Sequence, residues 1–193
     1  MRIIDDELTA VDRCYDALPR PAATAEQIGP FTLFVRSDPR GFPYYARPTP
    51  GGTAPVTAAD VVAVRERQRE LGAPEAFEWV QEVCPSLRDV CIEQGLVVHT
   101  NPVLVLDPPV RAPRPDGVDI RLLGPDDDIA TADAVAHVAF GTPRTGPGDA
   151  GVTERNASIG DGTRAALLAR RIAAGTFGMA AAYDPVDGPI SVG

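Results

Sequence analysis

Residues 74–106 read PEAFEWVQEVCPSLRDVCIEQGLVVHTNPVLVL, and this stretch predicts a strand, a helix and two further strands. Phe77 and Trp79 fall on one side of an alternating run, the two-residue period of a half-buried strand. The run CPSLRDVCIEQG carries apolar residues at helical spacing and ends at Gly95. The valine-rich runs that follow predict two strands, interrupted at Pro102, which belongs at a sheet edge or a bulge.

The residues upstream predict two helices and a hairpin. Residues 5–18 have apolar side chains at helical spacing and are followed by a proline. Phe31–Arg36 and residues 42–46 alternate well enough for two antiparallel strands joined by a turn. The helix predicted over residues 57–71 opens with a threonine that pairs with Asp60 in a capping box, where aspartate replaces the usual glutamate. Its predicted buried face is Val61, Val64, Gln68 and Leu71, and Gly72 terminates it.

A proline-rich segment separates the two halves of the chain. Residues 107–117, DPPVRAPRPDG, contain four prolines and no periodicity, which indicates a semi-rigid linker and a domain boundary. Beyond it, the pattern predicts a strand over residues 118–122 and a helix that Asp126 caps, with an apolar stripe that includes Phe140. The remaining predictions are a short helical piece near residues 153–159, a helix over 163–174 and strands over 177–183 and 190–192.

The composition is that of an ordinary soluble protein, and we expect a cytoplasmic one. The formal net charge of −9 argues against nucleic acid or an anionic membrane as the main partner. No run of apolar residues is long enough to span a membrane. Cys14, Cys84 and Cys91 have no metal-ligand spacing, and the acidic run at residues 126–128 is better explained as a helix start than as a metal site. The sequence therefore predicts no metal.

Two segments together suggest a family. The runs VDIRLLGPDDDIATADAVAHVAFG, TRAALLARRIAAG and FGMAAAYDPVDGPISVG have the order strand, helix, helix, strand, turn, strand. This order resembles the front half of a GNAT (N-acetyltransferase) superfamily domain, and residues 31–106 resemble the hairpin and back half of a second, degenerate copy. The resemblance implies an α+β fold with a mixed sheet. It implies a degenerate GNAT-like domain over residues 1–106, a linker over 107–117 and the truncated N-terminal half of a second domain over 118–193.

The resemblance implies an acetyl-CoA-dependent acetyltransferase that acylates a primary amine on a small molecule or a peptide. In that family the pyrophosphate of the cofactor lies on backbone N–H groups at a helix N-terminus, in a loop of pattern Arg/Gln-x-x-Gly-x-Gly/Ala. No stretch of this chain matches the pattern. The nearest candidates are Gly51, Gly52 and Thr53, before the helix at residue 57, but Pro50 and Pro55 each remove a donor. We therefore expect that this chain is inactive and does not bind acetyl-CoA.

Three residues of the second half are candidates for acid–base chemistry in amine acylation: His137, Glu154 and Tyr183. A carboxylate can relay a proton through water, and a hydroxyl can protonate a departing thiolate. The alternative is an ordinary surface, capping or packing role, and we favour it for all three residues, because nothing in the sequence pairs them. A function of a different class is also open, namely a non-catalytic module that dimerises or binds a protein through the sheet edge at residues 190–192.

Overall fold

The structure is a computed structural model that describes residues 5–37, 42–52, 54–105, 113, 115–141 and 151–193. The chain divides into two compact units, Met1–Leu104 and Val105–Gly193. Each unit contains one three-stranded antiparallel sheet. The predicted α+β class is confirmed. The predicted mixed sheet is not found, because the sole parallel pairing among the described residues is one isolated bridge, between Ala46 and Phe77.

The described residues of unit 1 form three α-helices besides the sheet. The strand order is β1–β2–β3, and β1 and β2 meet in a tight turn at Gly29. Gly29 has a φ of +53°, and a Cβ atom there would lie 3.0 Å from the Asp60 carboxylate, so the turn requires glycine. The elements are α1 (Asp5–Ala17), a 3-10 turn (Arg20–Ala22), β1 (Ala23–Ile28), β2 (Phe31–Arg36), β3 (Ala46–Pro48), α2 (Ala58–Glu70) and α3 (Leu87–Glu93).

The sheet of unit 1 is covered on both faces. The first four residues of β2 are all buried, although successive side chains point to opposite faces. One face packs on α2 and α3 in a core of Phe31, Leu33, Ala46, Val56, Val61, Val64, Leu87 and Cys91. Each fully buried large apolar side chain contributes about 1.5–3 kcal/mol. The opposite face is partly polar, since Thr32 and Arg47 are buried there.

Helix α2 follows the sequence prediction closely. Thr57 is its N-cap, and the capping box with Asp60 is present. The buried residues are Val61, Val64 and Gln68, and all three belong to the predicted face of the helix. The helix ends at Glu70, and Gly72 follows its C-cap with a φ of +61°, which suits a glycine after a helix C-terminus.

Much of the stretch at residues 74–106 differs from its prediction. Helix α3 is confirmed, but the strand predicted around Phe77 is reduced to the single bridge to Ala46. The strands predicted after Gly95 are not present among residues 96–105, where Leu104 is 91% exposed. A β-rich composition makes a strand only where a neighbouring strand supplies hydrogen bonds, and no described strand lies alongside this segment. Phe77 instead packs edge-on against Phe31, with ring centroids 5.4 Å apart.

The hairpin of unit 1 also differs from its prediction. Strand β1 was not predicted, because half of the residues in its sequence ATAEQI are polar, as suits an exposed sheet edge. The returning strand is Ala46–Pro48 rather than residues 42–46. Tyr44 has a φ of +34°, which interrupts the extended backbone just before β3.

The described residues of unit 2 form three helices and a sheet of order β4–β5–β6. The predicted strands and helices are confirmed within a few residues. The core consists of Leu123, Ile129, Ala132, Leu168, Met179 and Ala181. The elements are β4 (Asp119–Leu122), α4 (Ile129–Gly141), α5 (Val152–Ala157), α6 (Thr163–Ala173), β5 (Ala180–Asp184) and β6 (Gly188–Val192).

Two details of α4 correct the sequence prediction. Asp126 is not the cap. Instead Asp128 Oδ1 accepts the Thr131 N–H at 3.1 Å, and Asp127 Oδ2 accepts the Gly124 N–H at 2.7 Å. Phe140, placed by its spacing in the apolar stripe, is 92% exposed. The buried stripe includes Asp133, whose carboxylate lies 2.8 Å from the Arg164 guanidinium.

Candidate functional site

The family resemblance places the pyrophosphate of the cofactor at the N-terminus of α2. In the structure, the carboxylate of Asp60 lies at this helix terminus. Asp60 Oδ2 accepts the Thr57 N–H at 2.9 Å and the Thr57 hydroxyl at 2.6 Å. In return, Thr57 Oγ1 accepts the Asp60 N–H at 3.3 Å. A carboxylate in this position neutralises the positive end of the helix dipole and repels a second anion. The arrangement stabilises the helix and leaves a poor site for pyrophosphate.

The loop before α2 uses one of its backbone donors internally. Gly52 N–H donates to Thr49 O at 3.0 Å and closes a turn across Pro50 and Gly51. The φ of +76° at Gly51 is what a type II turn requires after proline. Thr53 lies outside the described residues. Of the candidate cofactor-binding positions, Gly52 therefore has its N–H engaged in the turn.

A buried ion pair lies under the other face of the same sheet. The Arg47 side chain is fully buried on β3, and its guanidinium donates to Asp12 Oδ1 on α1. Burial outweighs the attraction of Arg47, so the pKa of the Asp12 carboxyl is raised above its ordinary value. Arg47 Nη1 has no hydrogen-bond partner among the described atoms. The pair links α1 to the sheet.

Sequence reasoning missed this pair, although one signal was present. Asp12 lies within the apolar stripe of α1, since it follows Leu8 by four residues and precedes Tyr15 by three. A charged residue inside such a stripe indicates a buried partner.

A hydrogen bond also joins α1 to the residue before β3. The backbone carbonyl of Tyr15 accepts a hydrogen bond from the Tyr45 hydroxyl at 3.3 Å. Burial raises the pKa of Tyr45 to about 12.

Unit 1 also contains a small cavity of about 200 Å³ between β2 and the C-terminal end of α2. Gln68 lines it, and Gln68 Nε2 donates to Ala76 O at 2.8 Å. The cavity is smaller than a typical ligand pocket of about 300–1,000 Å³. Its other lining residues are mainly apolar: Leu33, Phe34, Val35, Arg36, Pro43, Tyr44, Leu71, Gly72, Ala73 and Pro74. The described lining residues include no carboxylate, histidine or thiol.

The three catalytic candidates of unit 2 have separate surroundings. His137 is exposed on α4. Glu154 Oε2 accepts the Gly151 N–H at 2.9 Å, which caps α5 and lowers the pKa of Glu154. The Tyr183 ring on β5 lies under the Arg121 guanidinium, 4.5 Å from its centroid. Within residues 115–141 and 151–193, no hydrogen bond or ion pair joins any two of the three candidates. Glu154 and Tyr183 thus have structural partners of their own.

Arg155 is a buried cation that the sequence analysis did not single out. Its guanidinium donates to the carbonyls of Asp187 and Pro189, the latter at 2.9 Å. These bonds fasten α5 to the turn between β5 and β6. Sequence spacing carries no signal for this contact, because the partners are backbone atoms more than thirty residues away.

The part of the chain that the structure describes contains no group of three or more His, Cys, Asp or Glu side chains that could hold a metal ion. None of its helices is both long and apolar enough to cross a membrane. Comparison of the chain with protein-family models, with curated proteins and with solved structures found no match.

Proposed function

We propose that this chain is the N-terminal region of a GNAT-type N-acyltransferase, and that unit 1 serves it as a scaffold. In unit 1, three antiparallel strands are followed by α2, by an extended residue that bridges back to β3 in parallel, and by α3. In unit 2, a strand, three helices and two strands form an antiparallel sheet of order β4–β5–β6. The order in unit 2 agrees with that expected from the family resemblance, which supports the proposal. Unit 1 keeps the hairpin, α2 and α3 of the expected order but lacks the expected strands after α3 among its described residues.

The main support for the scaffold role is the N-terminus of α2, where a side chain of the protein takes the place of an anion. Asp60 occupies the anion position through two hydrogen bonds from Thr57. The preceding loop contains Pro50 and Pro55, which have no N–H, and it uses the Gly52 N–H in its own turn. Unit 1 would therefore support the fold of the enzyme, and transfer of an acetyl group to a small-molecule or peptide amine would depend on residues outside unit 1.

Thermal denaturation with and without acetyl-CoA tests this role. A site with a Kd a hundredfold below the ligand concentration would stabilise the protein by about 2.7 kcal/mol. We expect no shift for the chain at millimolar acetyl-CoA, because the Asp60 carboxylate already lies at the helix terminus and repels a second anion. Saturable stabilisation, confirmed by calorimetric titration, would refute the expectation that this chain lacks a cofactor site.

A genomic observation tests the family assignment separately. If the proposal is right, the reading frame of the gene contains, beyond the codon for Gly193, a stretch of pattern Arg/Gln-x-x-Gly-x-Gly/Ala placed before a helix. A stop codon at this point would leave the acyltransferase proposal without a cofactor site. This outcome does not depend on how unit 1 behaves toward acetyl-CoA.

The alternative from the sequence is a non-catalytic module that dimerises through the edge of β6. That edge contains Pro189, and the pairing of β5 with β6 shifts register between Ala182 and Tyr183. A proline and a bulge are two features that natural proteins use to prevent edge pairing. The opposite edge of the sheet, formed by β4, has neither feature, and it is the better candidate for an interaction surface.

A further inference from the structure

Strand β4 presents unpaired backbone groups at the edge of its sheet. Leu123 N–H donates to Met179 O at 2.8 Å, toward β5. Because backbone groups alternate along an antiparallel strand, Arg121 and Asp119 also direct their N–H and C=O groups to β5. Ile120 and Leu122 direct theirs the other way. No strand of the described residues pairs with that outer edge.

The side chains of β4 are also exposed. All four residues of the strand are solvent-accessible, with Ile120 39% and Leu122 77% exposed. Ile120 and Leu122 lie on the sheet face opposite the unit 2 core, since that core takes Leu123 from the alternate face. The strand thus combines an open backbone edge with a short row of uncovered apolar side chains.

The charges of β4 favour one register for its pairing with the same strand of a second copy. In an antiparallel pair of two β4 strands, a residue whose N–H and C=O point away from β5 must face another such residue, so few symmetric registers are possible. If Asp119 faces its own copy, or if Arg121 faces its own copy, like charges meet. If Ile120 lies on the twofold axis, Asp119 of each strand faces Arg121 of the other. This register places the charges at the closer, non-hydrogen-bonded positions, where opposite charges attract.

We propose that β4 is a homodimerisation strand, which pairs antiparallel with β4 of a second copy of this chain about a twofold axis at Ile120. Two Asp119–Arg121 pairs flank the axis. Val118 of each strand faces Leu122 of the other, and the two sheets join into one of six strands. The Arg121 side chain is 50% exposed beside Asp127 and the Tyr183 ring, so it remains open to a second carboxylate. An interface this short is weak and concentration-dependent.

Sedimentation velocity from micromolar to millimolar chain tests the proposal with charge-reversed variants. D119R and R121D each place like charges in both pairs, and we expect each to raise the Kd of the dimer by about tenfold or more. The double variant D119R/R121D restores opposite charges and should dimerise like the wild type. An equimolar mixture of the two single variants should form a heterodimer, because each supplies the charge that the other lacks. E93R, on the exposed surface of α3, makes the same change in net charge as D119R and is its control.

Two outcomes would overturn the proposal. One is a wild-type chain that stays monomeric at every concentration. The other is a dimer whose Kd does not change in either single variant, which would place the interface elsewhere. Recovery in the mixture also separates interface loss from misfolding, since an unfolded variant cannot be rescued by its partner. The proposal rests on β4 alone and stands or falls independently of acyltransferase activity.

Discussion

Removal of the Asp12 carboxylate should destabilise unit 1 more than any exposed substitution. The Arg47 side chain is 0% exposed and that of Asp12 is 9% exposed. In D12A the guanidinium stays buried with Nη2 unpaired, in addition to Nη1, which has no partner among the described atoms. Breaking a buried pair in this way costs about 3–5 kcal/mol. A domain of this size has a total stability of about 5–15 kcal/mol, so the loss is a large fraction of it.

Urea and thermal unfolding followed by the fluorescence of Trp79 measure this effect in the whole chain. Trp79 is the single tryptophan and packs against the unit 1 core, so its signal reports unit 1. At about 4 °C per kcal/mol, a loss of 3 kcal/mol corresponds to a fall in Tm of about 12 °C. D12N keeps a hydrogen-bond acceptor without the charge, and its effect should lie between those of the wild type and D12A.

The double variant D12L/R47M is the matched control. Because the burial of Asp12 outweighs its attraction to Arg47, as the raised pKa of Asp12 indicates, the pair itself adds little net stability. The double variant should therefore recover most of the stability that D12A loses. A D12A protein within about 1 kcal/mol of the wild type, or a double variant as unstable as D12A, would refute this account of the pair.

Three further predictions concern single residues. Glu75 has its pKa lowered to about 2 by Arg69 and Arg65, so its stabilising effect is present above pH 4.5 and is lost as the pH falls from 4.5 to about 2. The difference in Tm between the wild type and E75Q should vanish over that range. T57A should cost about 0.5–2 kcal/mol in urea unfolding, through loss of the α2 cap. Cys91 is buried with its pKa raised to about 11, so only unfolding should expose it to a thiol reagent, whereas exposed Cys14 should react in the native protein.

Each of these predictions has a result that would contradict it. A Tm difference for E75Q that persists at pH 2 would mean that its ion pairs do not control the effect. An unchanged T57A would mean that Asp60 alone completes the cap, which T57S, with its retained hydroxyl, would help to establish. Labelling of Cys91 at the rate of Cys14 would show that the core of unit 1 opens readily.

Local signals were reliable where one segment supplies its own hydrogen bonds. Helix α2 was predicted from its capping box, its apolar spacing and the glycine that follows it, and all three are present. The helices and strands of unit 2 were likewise predicted within a few residues, because their patterns are regular. Helices satisfy their backbone locally, and short sequence patterns therefore describe them well.

The stretch at residues 74–106 shows what the sequence could not determine. Its composition favours three strands, yet only the bridge at Phe77 and helix α3 are present among the described residues. Strand β1, with an unremarkable polar sequence, is paired over six residues with β2. A strand forms only when another strand, often distant in sequence, supplies hydrogen bonds. The alternation of apolar and polar residues therefore predicts neither the missing strands of residues 74–106 nor the presence of β1.

The same distinction between local sequence patterns and long-range pairing applies to the candidate site. The sequence by itself determined the absence of a matching cofactor loop, the two prolines that remove donors and the capping pair that closes α2. Only the tertiary structure revealed the Asp12–Arg47 pair and the open edge of β4, because both depend on which residues long-range pairing brings together. Short-range patterns specify hydrogen bonds within a segment, whereas burial of a charge and exposure of an edge are set by the neighbours that the fold supplies.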